Sequence, residues 1–403
     1  MSSRFRNLVI CLVCRAAILW LATAVAPCLI RAADTASTED GFEPLFADDA
    51  LTGWVKEGPA GFSRHGNVIA CDGSGEYPNW LRSEAVYENF VLRFDFRLGL
   101  YGEGGVFLHA PRYGRNSNVG FEIQLSDDTR NREPATISSG AIFGAVPPRE
   151  QASRPLKQWN SVEATFDWPR LRVVLNDRLV QDLDVSQDPE LRDRLRSGYL
   201  GLQDRGKPYE LRNLRIKRLA NKERWQALFD GSTFSGWNLV QPEGAKWTIE
   251  QGEIVARNGN GYLVTEKEWQ DFDFQVYVKA SPNTNGGVFF RWKTLVPKDR
   301  GFEIQIEDIA DSNNPTGSIY DLVRARTLPV TPGEWYLLQL HATGSACRVR
   351  VNGENVAATE RLNLIRAGHI SLQMHSSVGT IRFFDPRIKP ADGEPTGANA
   401  AAR

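Results

Sequence analysis

The sequence has little that could cross-link it, carry it through a membrane several times or hold it on a polyanion. Of 403 residues only five are cysteine and two are methionine. Cys11, Cys14 and Cys28 fall within the first 33 residues, which leaves Cys71 and Cys347 in different halves of the chain. Two such residues make no disulfide framework, and neither has the companions in sequence that a zinc site needs. Both read as buried small side chains. Charge of one sign is missing too: Lys+Arg 48 against Asp+Glu 49 gives a net charge of -1, with the signs interspersed. That balance excludes the basic footprint of a nucleic-acid binder. The composition, 41% apolar and 24% charged, is that of a globular chain large enough for more than one core.

The long apolar stretch runs from Leu8 to Ile30, follows Arg4 and Arg6, is broken by Arg15, and ends at Ala32 and Ala33 before an acidic segment. Residues 1–33 therefore read as an export signal. An uncleaved membrane anchor is the alternative, while Val25, Ala26 and Pro27 make a poor lipidation site of Cys28. Cleavage removes four Arg and no acid, leaving 44 basic against 49 acidic side chains, a net charge of -5. The expectation is an exported protein, periplasmic or extracellular, with no stable membrane span after cleavage.

The remainder is a tandem duplication. Leu45-Phe46 and Gly53-Trp54 recur as Leu228-Phe229 and Gly236-Trp237. Gly104-Gly105-Val106-Phe107 returns as Gly286-Gly287-Val288-Phe289, and Gly120-Phe121-Glu122-Ile123-Gln124 returns unchanged as Gly301-Phe302-Glu303-Ile304-Gln305. The order holds through Trp159 and Trp335, Asn176 and Asn352, and the strands of Gln203 and Gln373. A period this long means two whole domains rather than solenoid repeats. Their expected bounds are 41–219 and 224–391, with a linker at 220–223 and a disordered tail at 392–403.

Within each copy the apolar residues alternate. Phe90, Leu92, Phe94 and Phe96 stand against Val91, Arg93 and Asp95, and Phe272, Phe274, Val276 and Val278 repeat the pattern. Period two with Gly, Pro and Asn at close intervals predicts antiparallel strands. Asn352-Gly353 and Asn176-Asp177 predict hairpin turns at positive φ. The best helix candidate is 188–196. About a dozen strands per copy and few helices predict an all-β protein of two tandem jelly-roll sandwiches.

Alternation also sorts polar residues onto faces. Glu303, Gln305 and Glu307 share one face of their strand, as do Gln373 and His375 of theirs, and the same rule puts Arg291 beside Phe289. On one concave sheet these would line a groove with donors and acceptors for a sugar. The first copy offers His109, Glu122, Gln124, Gln203 and Arg205. His109 stands where the second copy has Arg291, and Arg205 where it has His375, which predicts that each groove keeps one fixed cation and one imidazole, exchanged between two nearby strands. The tryptophans Trp54, Trp237, Trp159, Trp335 and Trp247 read as core residues. Asp127, Asp128, Asp308 and Asp311 read either as polar turns or as ligands for a divalent metal ion.

The ordered set Leu228-Phe229-Asp230-Gly231, Gly286 to Arg291, Gly301 to Gln305, Thr316-Gly317-Ser318-Ile319-Tyr320, Gly333-Glu334-Trp335, Asn352-Gly353 and Leu372-Gln373-Met374-His375 resembles the 3-keto-disaccharide hydrolase domain family, a concanavalin-like jelly roll. The resemblance spans nearly the whole chain past the signal, once per copy. It implies cleavage of glycosides already oxidised at C3, because the ketone acidifies the C2 proton and the enolate can expel the group at C1 before water adds. That route needs a base and a donor or cation for the enolate oxygen. The resemblance points to the Glu-x-Gln and Leu-Gln-x-His strands; on them and the neighbouring strand His375, Glu303 and Arg291 are expected as base, polar clamp or metal ligand, and oxyanion partner, with Gln305, Gln373 and Tyr320 binding substrate. Copy one departs from the family ending with Leu202-Gln203-Asp204-Arg205-Gly206, which lacks its His, and has Phe143 in place of Tyr320. Copy two keeps His375 with Met374 and Ser376 around it, and is the better candidate for an active site. The alternative is a non-catalytic carbohydrate-binding or adhesion protein.

Overall fold

The computed structural model describes residues 41–47, 50–75, 79–128, 133–222, 224–293, 301–307, 312–326 and 330–391. The export segment, Asp308, Asp311 and the tail 392–403 lie outside the described residues.

Each copy is an antiparallel two-layer jelly-roll sandwich with its own core. In copy one an eight-stranded sheet packs on a five-stranded one. Successive residues of Phe90–Leu98 alternate buried and half-buried along the strand, as period two requires, and the inward Phe90, Leu92, Phe94 and Phe96 share a core with Val106, Leu108, Ile123 and Leu202 of the opposite sheet. The five-stranded sheet runs Trp54–Glu57, Trp80–Tyr87, Gly198–Gln203, Gly104–Ala110, Phe121–Leu125, and it carries the candidate residues.

Copy two joins both layers into one eleven-stranded system, because two of its strands pass through both. His369–Pro390 pairs first with Asn285–Trp292 and, past Gly379, with Phe272–Ala280. Glu253–Thr265 follows it on the other side from Ser371 to Phe383, and Gln226–Ala227 pairs with it at Arg387 and Ile388. The fold-over lies at Asn258, Gly259 and Gly379, all at positive φ, where a bulge gives the bend that the two-layer core demands.

Asn176-Asp177 and Asn352-Gly353 turn their hairpins at positive φ, as expected. Trp54 and Trp237 donate from Nε1 to the carbonyls of Leu45 and Leu228, so the first repeat motif is a half-buried staple of the chain entry in both copies. The segment 188–196 is not a helix. Asp188 caps one turn through the amides of Glu190 and Leu191, and Arg194 then bends inward to the carbonyls of Ser117 and Gly120, which ends the turn. Asn116–Val119 is the helix among the described residues. None there is long and apolar enough to cross a membrane.

The copies meet through a third apolar cluster. Val119 and Leu195 of copy one and Tyr277 and Leu337 of copy two are buried in it, with Tyr113 stacked on Trp335 at 5.0 Å. Cys71 and Cys347 are buried and free, and burial pushes both thiols up to about 12.

Candidate functional site

The site is built by register. In copy two Gly287 lies opposite Gln305 and Phe289 opposite Glu303. On the other side Gly287 lies opposite Gln373 and Phe289 opposite Ser371, and Gln373 in turn faces Tyr262. Directly paired residues share a face, so these side chains form one trough. The intervening Val288, Ile304, Leu372 and Leu263 fill the core. Tyr262, Phe289 and Trp292 give the trough an aromatic floor. The same register extends to His375, opposite Asn260 at the open end, where it is exposed.

Copy one repeats the arrangement. Gly105 faces Gln124, Phe107 faces Glu122 and Gly201, and Gln203 faces Trp80. The second glycine of each pair has a defined purpose: a Cβ on Gly105 would stand 2.2 Å from Glu122 Oε1, and one on Gly287 would stand 2.5 Å from Glu303 Oε1. The carboxylate of each copy lies over a glycine that makes room for it.

The amide oxygens of Gln124, Gln203, Gln305 and Gln373 are all buried without a hydrogen-bond partner. Buried acceptors are normally paired, and the same two are unpaired in both troughs. Gln373 Nε2 donates to Tyr262 Oη at 3.2 Å, which sets that amide across the floor.

The two troughs differ in access. Glu122 is 0% exposed, and burial pushes its carboxyl up to about 8 against a weaker downward pull from Arg205. The Gln203 amide approaches it, but neither carboxylate oxygen has a hydrogen bond of good geometry. Above it Arg205 Nη1 donates to Glu103 Oε1 at 2.9 Å, and Gln124 Nε2 reaches the same oxygen at 3.3 Å. The Arg205 guanidinium also lies over the Phe143 ring. Copy two has Asn285, His375 and Tyr320 at these three positions. There Glu303 is half-buried and Tyr320 is 47% exposed, so the trough is more open. Phe143 and Tyr320 are true equivalents, since their amides donate to the carbonyls of Glu122 and Glu303, both at 2.9 Å.

Residues 41–217 and 224–389 each match the family described as the 3-keto-alpha-glucoside-1,2-lyase-like domain. The chain belongs to this family, twice over. A curated relative from Bacteroides thetaiotaomicron, named a 3-keto-disaccharide hydrolase, is 26% identical over 162 residues, which cover 32% of this chain and 56% of that protein. Among solved structures, a proposed glycosyl hydrolase from Parabacteroides distasonis is 20% identical, covering 44% of this chain and 99% of its own, with a TM-score of 0.40. The carbohydrate-binding module CBM66 from Bacillus subtilis is 15% identical, covering 38% and 95%, with a TM-score of 0.31.

In these two 3-keto-alpha-glucoside-1,2-lyase-like domains the trough holds Glu122, Gln124 and Gln203, or Glu303, Gln305, Gln373 and His375. It does not hold His109 or Arg291. Both have positive φ, and both sit where strand pairing shifts register, so a bulge turns each side chain away from its trough. Arg291 is fully buried, donating from Nε to Gln270 O, from Nη1 to the carbonyls of Gly344 and Leu364, and from Nη2 to Asp271 at 3.0 Å. His109 packs against Phe90, Phe121 and Phe166 and contacts the carbonyls of Leu195 and Glu88 through its two ring nitrogens. The predicted exchange of cation and imidazole across the groove is therefore wrong. These are two solutions to one packing problem, the anchoring of loop carbonyls behind a bulge.

Of the aspartates read as polar turns or metal ligands, Asp128 is engaged within a turn. Asp128 accepts hydrogen bonds from Ser126 Oγ, Ser139 N and Ser153 Oγ. Among the described residues no three His, Cys, Asp or Glu side chains converge. Trp80, Tyr262, Glu103 and Ser371 belong to the troughs and were not singled out by sequence. An aromatic followed by Leu, Trp80-Leu81 and Tyr262-Leu263, was the available signal for the first two.

Proposed function

We propose that the trough of copy two cleaves glycosides oxidised at C3 of the sugar. The observation that supports this reading is the duplicated set of one carboxylate and two glutamines, held on paired strands over an aromatic floor with both amide oxygens unpartnered. The aromatic floor suits a sugar ring, and the amides suit its hydroxyls. In the proposed reaction a base, His375 or Glu303, takes the proton at C2. The electron pair forms the C2–C3 enolate, which re-forms the ketone as the C1–O bond breaks, and the departing alkoxide recovers a proton. Water adding across the resulting C1–C2 double bond gives the free 3-keto sugar. The NH2 groups of Gln305 and Gln373 and the Tyr320 hydroxyl are the donors suited to the enolate oxygen, a role that the buried Arg291 is not placed to fill. No step is assigned to a metal ion.

Copy one favours a second role. Glu122 is sealed under Arg205 and Glu103, so this trough acts as a binding or purely structural copy.

The test uses the full chain with a chromogenic 3-keto-glucoside and its unoxidised parent. Release from the keto substrate alone, with solvent deuterium entering C2, is expected. Glu303→Gln and His375→Ala should lose that activity while Glu122→Gln keeps it. Sugar binding without turnover on any 3-keto glycoside would leave the carbohydrate-binding alternative. We also propose export through residues 1–33, which N-terminal sequencing of the secreted protein tests.

A further inference from the structure

The two copies enclose a cleft far from either trough in kind. A cavity of about 240 Å³ between them is lined by Arg192, Arg194, Arg196, Arg348, Arg350 and Lys389, against Asp193 and Asp273 as the carboxylates among its described lining residues. It adjoins a second of about 390 Å³, with which it shares Arg196, Asp273, His341 and Lys389.

The two carboxylates are already engaged. Asp193 binds Arg348 at 2.7 Å, and Asp273 binds Lys389 at 2.9 Å and His341 at 2.5 Å. Arg194 and Arg350 instead donate to neutral acceptors: Arg194 to the carbonyls of Ser117 and Gly120, Arg350 to those of Asp193 and Gly353 and to Gln339 Oε1. Carbonyls satisfy donors but do not cancel charge. Arg350 is only 7% exposed, and both its Nε and that of Arg348 are buried without a partner. Burial pushes Arg194 down to about 10, with the neighbouring Arg350 adding to the shift and Glu190 and Asp188 opposing it. A structural joint needs no such surplus, since buried cations are ordinarily paired.

We propose that the inter-copy cleft binds an oxyanion group, sulfate or carboxylate in character, with Arg348 and Arg350 as its guanidinium partners. Guanidinium forks match such groups in a bidentate fashion. Trp225 lines the same cleft and offers a face for a sugar that carries the group. The chemistry has two sources, an acidic saccharide or a free oxyanion.

Calorimetric titration of the full chain with a sulfated disaccharide, its uncharged parent and inorganic sulfate tests the proposal. The expected result is binding of the sulfated sugar, loss with the uncharged one, and weakening by about tenfold or more as salt rises well above physiological strength. Tighter binding of the sulfated sugar than of sulfate assigns a saccharide-borne group; equal binding assigns a free oxyanion. Arg348→Gln should weaken binding at least about tenfold. Should that variant fail to fold, Arg192→Gln, whose side chain is 49% exposed, should weaken it about threefold while folding normally. Binding of neither anion, equal binding of the uncharged sugar, or affinities unchanged in both variants overturns it. Because no trough residue is touched, these outcomes do not depend on the proposed glycoside cleavage.

Discussion

Replacing Glu122 by Gln isolates the effect of burying a carboxyl with no good hydrogen bond. Burial moves this group from 4.5 in the open chain to about 8 in the folded one. Below pH 4.5 both states hold the proton, and Glu122 makes stability no more sensitive to pH. Between the two values the unfolded chain releases the proton while the native protein retains it, so stability falls as pH rises. Each pH unit in this window is worth about 1.4 kcal/mol. The loss reaches about 3 kcal/mol at pH 7 and levels off near 5 kcal/mol above pH 8. Gln has the same shape and does not titrate, so Glu122→Gln should match the parent near pH 4.5 and exceed it by about 3 kcal/mol at pH 7. Urea unfolding of both proteins at several pH values from 4.5 to 8 measures the difference directly, with other titrating groups cancelling. A difference that stays flat across this range, or a parent that gains on the variant as pH rises, refutes the reasoning.

Other outcomes follow from the same structure. Burial holds His109 down to about 4 from 6.5, so its contribution is intact above pH 6.5 and is lost as pH falls toward 4, by about 3 kcal/mol in total; an imidazole proton resonance that titrates between pH 6 and 7 would contradict this. Arg291→Met should destabilise by about 3–5 kcal/mol through the stranded Asp271 carboxylate and loop carbonyls, with turnover per folded molecule unchanged by active-site titration. Gly287→Ala should leave the melting temperature within a few degrees, because the added methyl meets the flexible end of Glu303, yet lower turnover about tenfold or more. Gly105→Ala, its counterpart in copy one, should leave turnover alone.

Much of this molecule could be read from its sequence because strands announce themselves wherever their faces differ. Phe90–Leu98 and Phe302–Glu307 alternate clearly, and the faces of Glu303, Gln305 and Gln373 followed from it. The reading failed at His109 and Arg291, whose strands are apolar on both faces: Phe107 and Phe289 line the troughs while Val106 and Val288 fill the cores. Without contrast between faces a bulge leaves no trace in the pattern, and Arg291 is not of a type that advertises positive φ, although His109 is. The short turn at 188–196 misled for another reason. Its local pattern suits a helix, but Arg194 is turned inward to the carbonyls of Ser117 and Gly120, a tertiary contact that local propensity does not register. The inter-copy cleft was out of reach, since its arginines are scattered over distant segments that only tertiary packing assembles.

The strand His369–Pro390 ties distant parts of copy two to one thread. Gln373 stands near its start and Lys389 near its finish, and no loop intervenes to absorb an added residue. A one-residue slip anywhere along it would invert every later side chain, stripping the trough or the cleft of its half of the thread. Lineages of this protein can thus retune either place by exchanging side chains, whereas changes in length are confined to the joint at Gly379 and the bulge at Asp385.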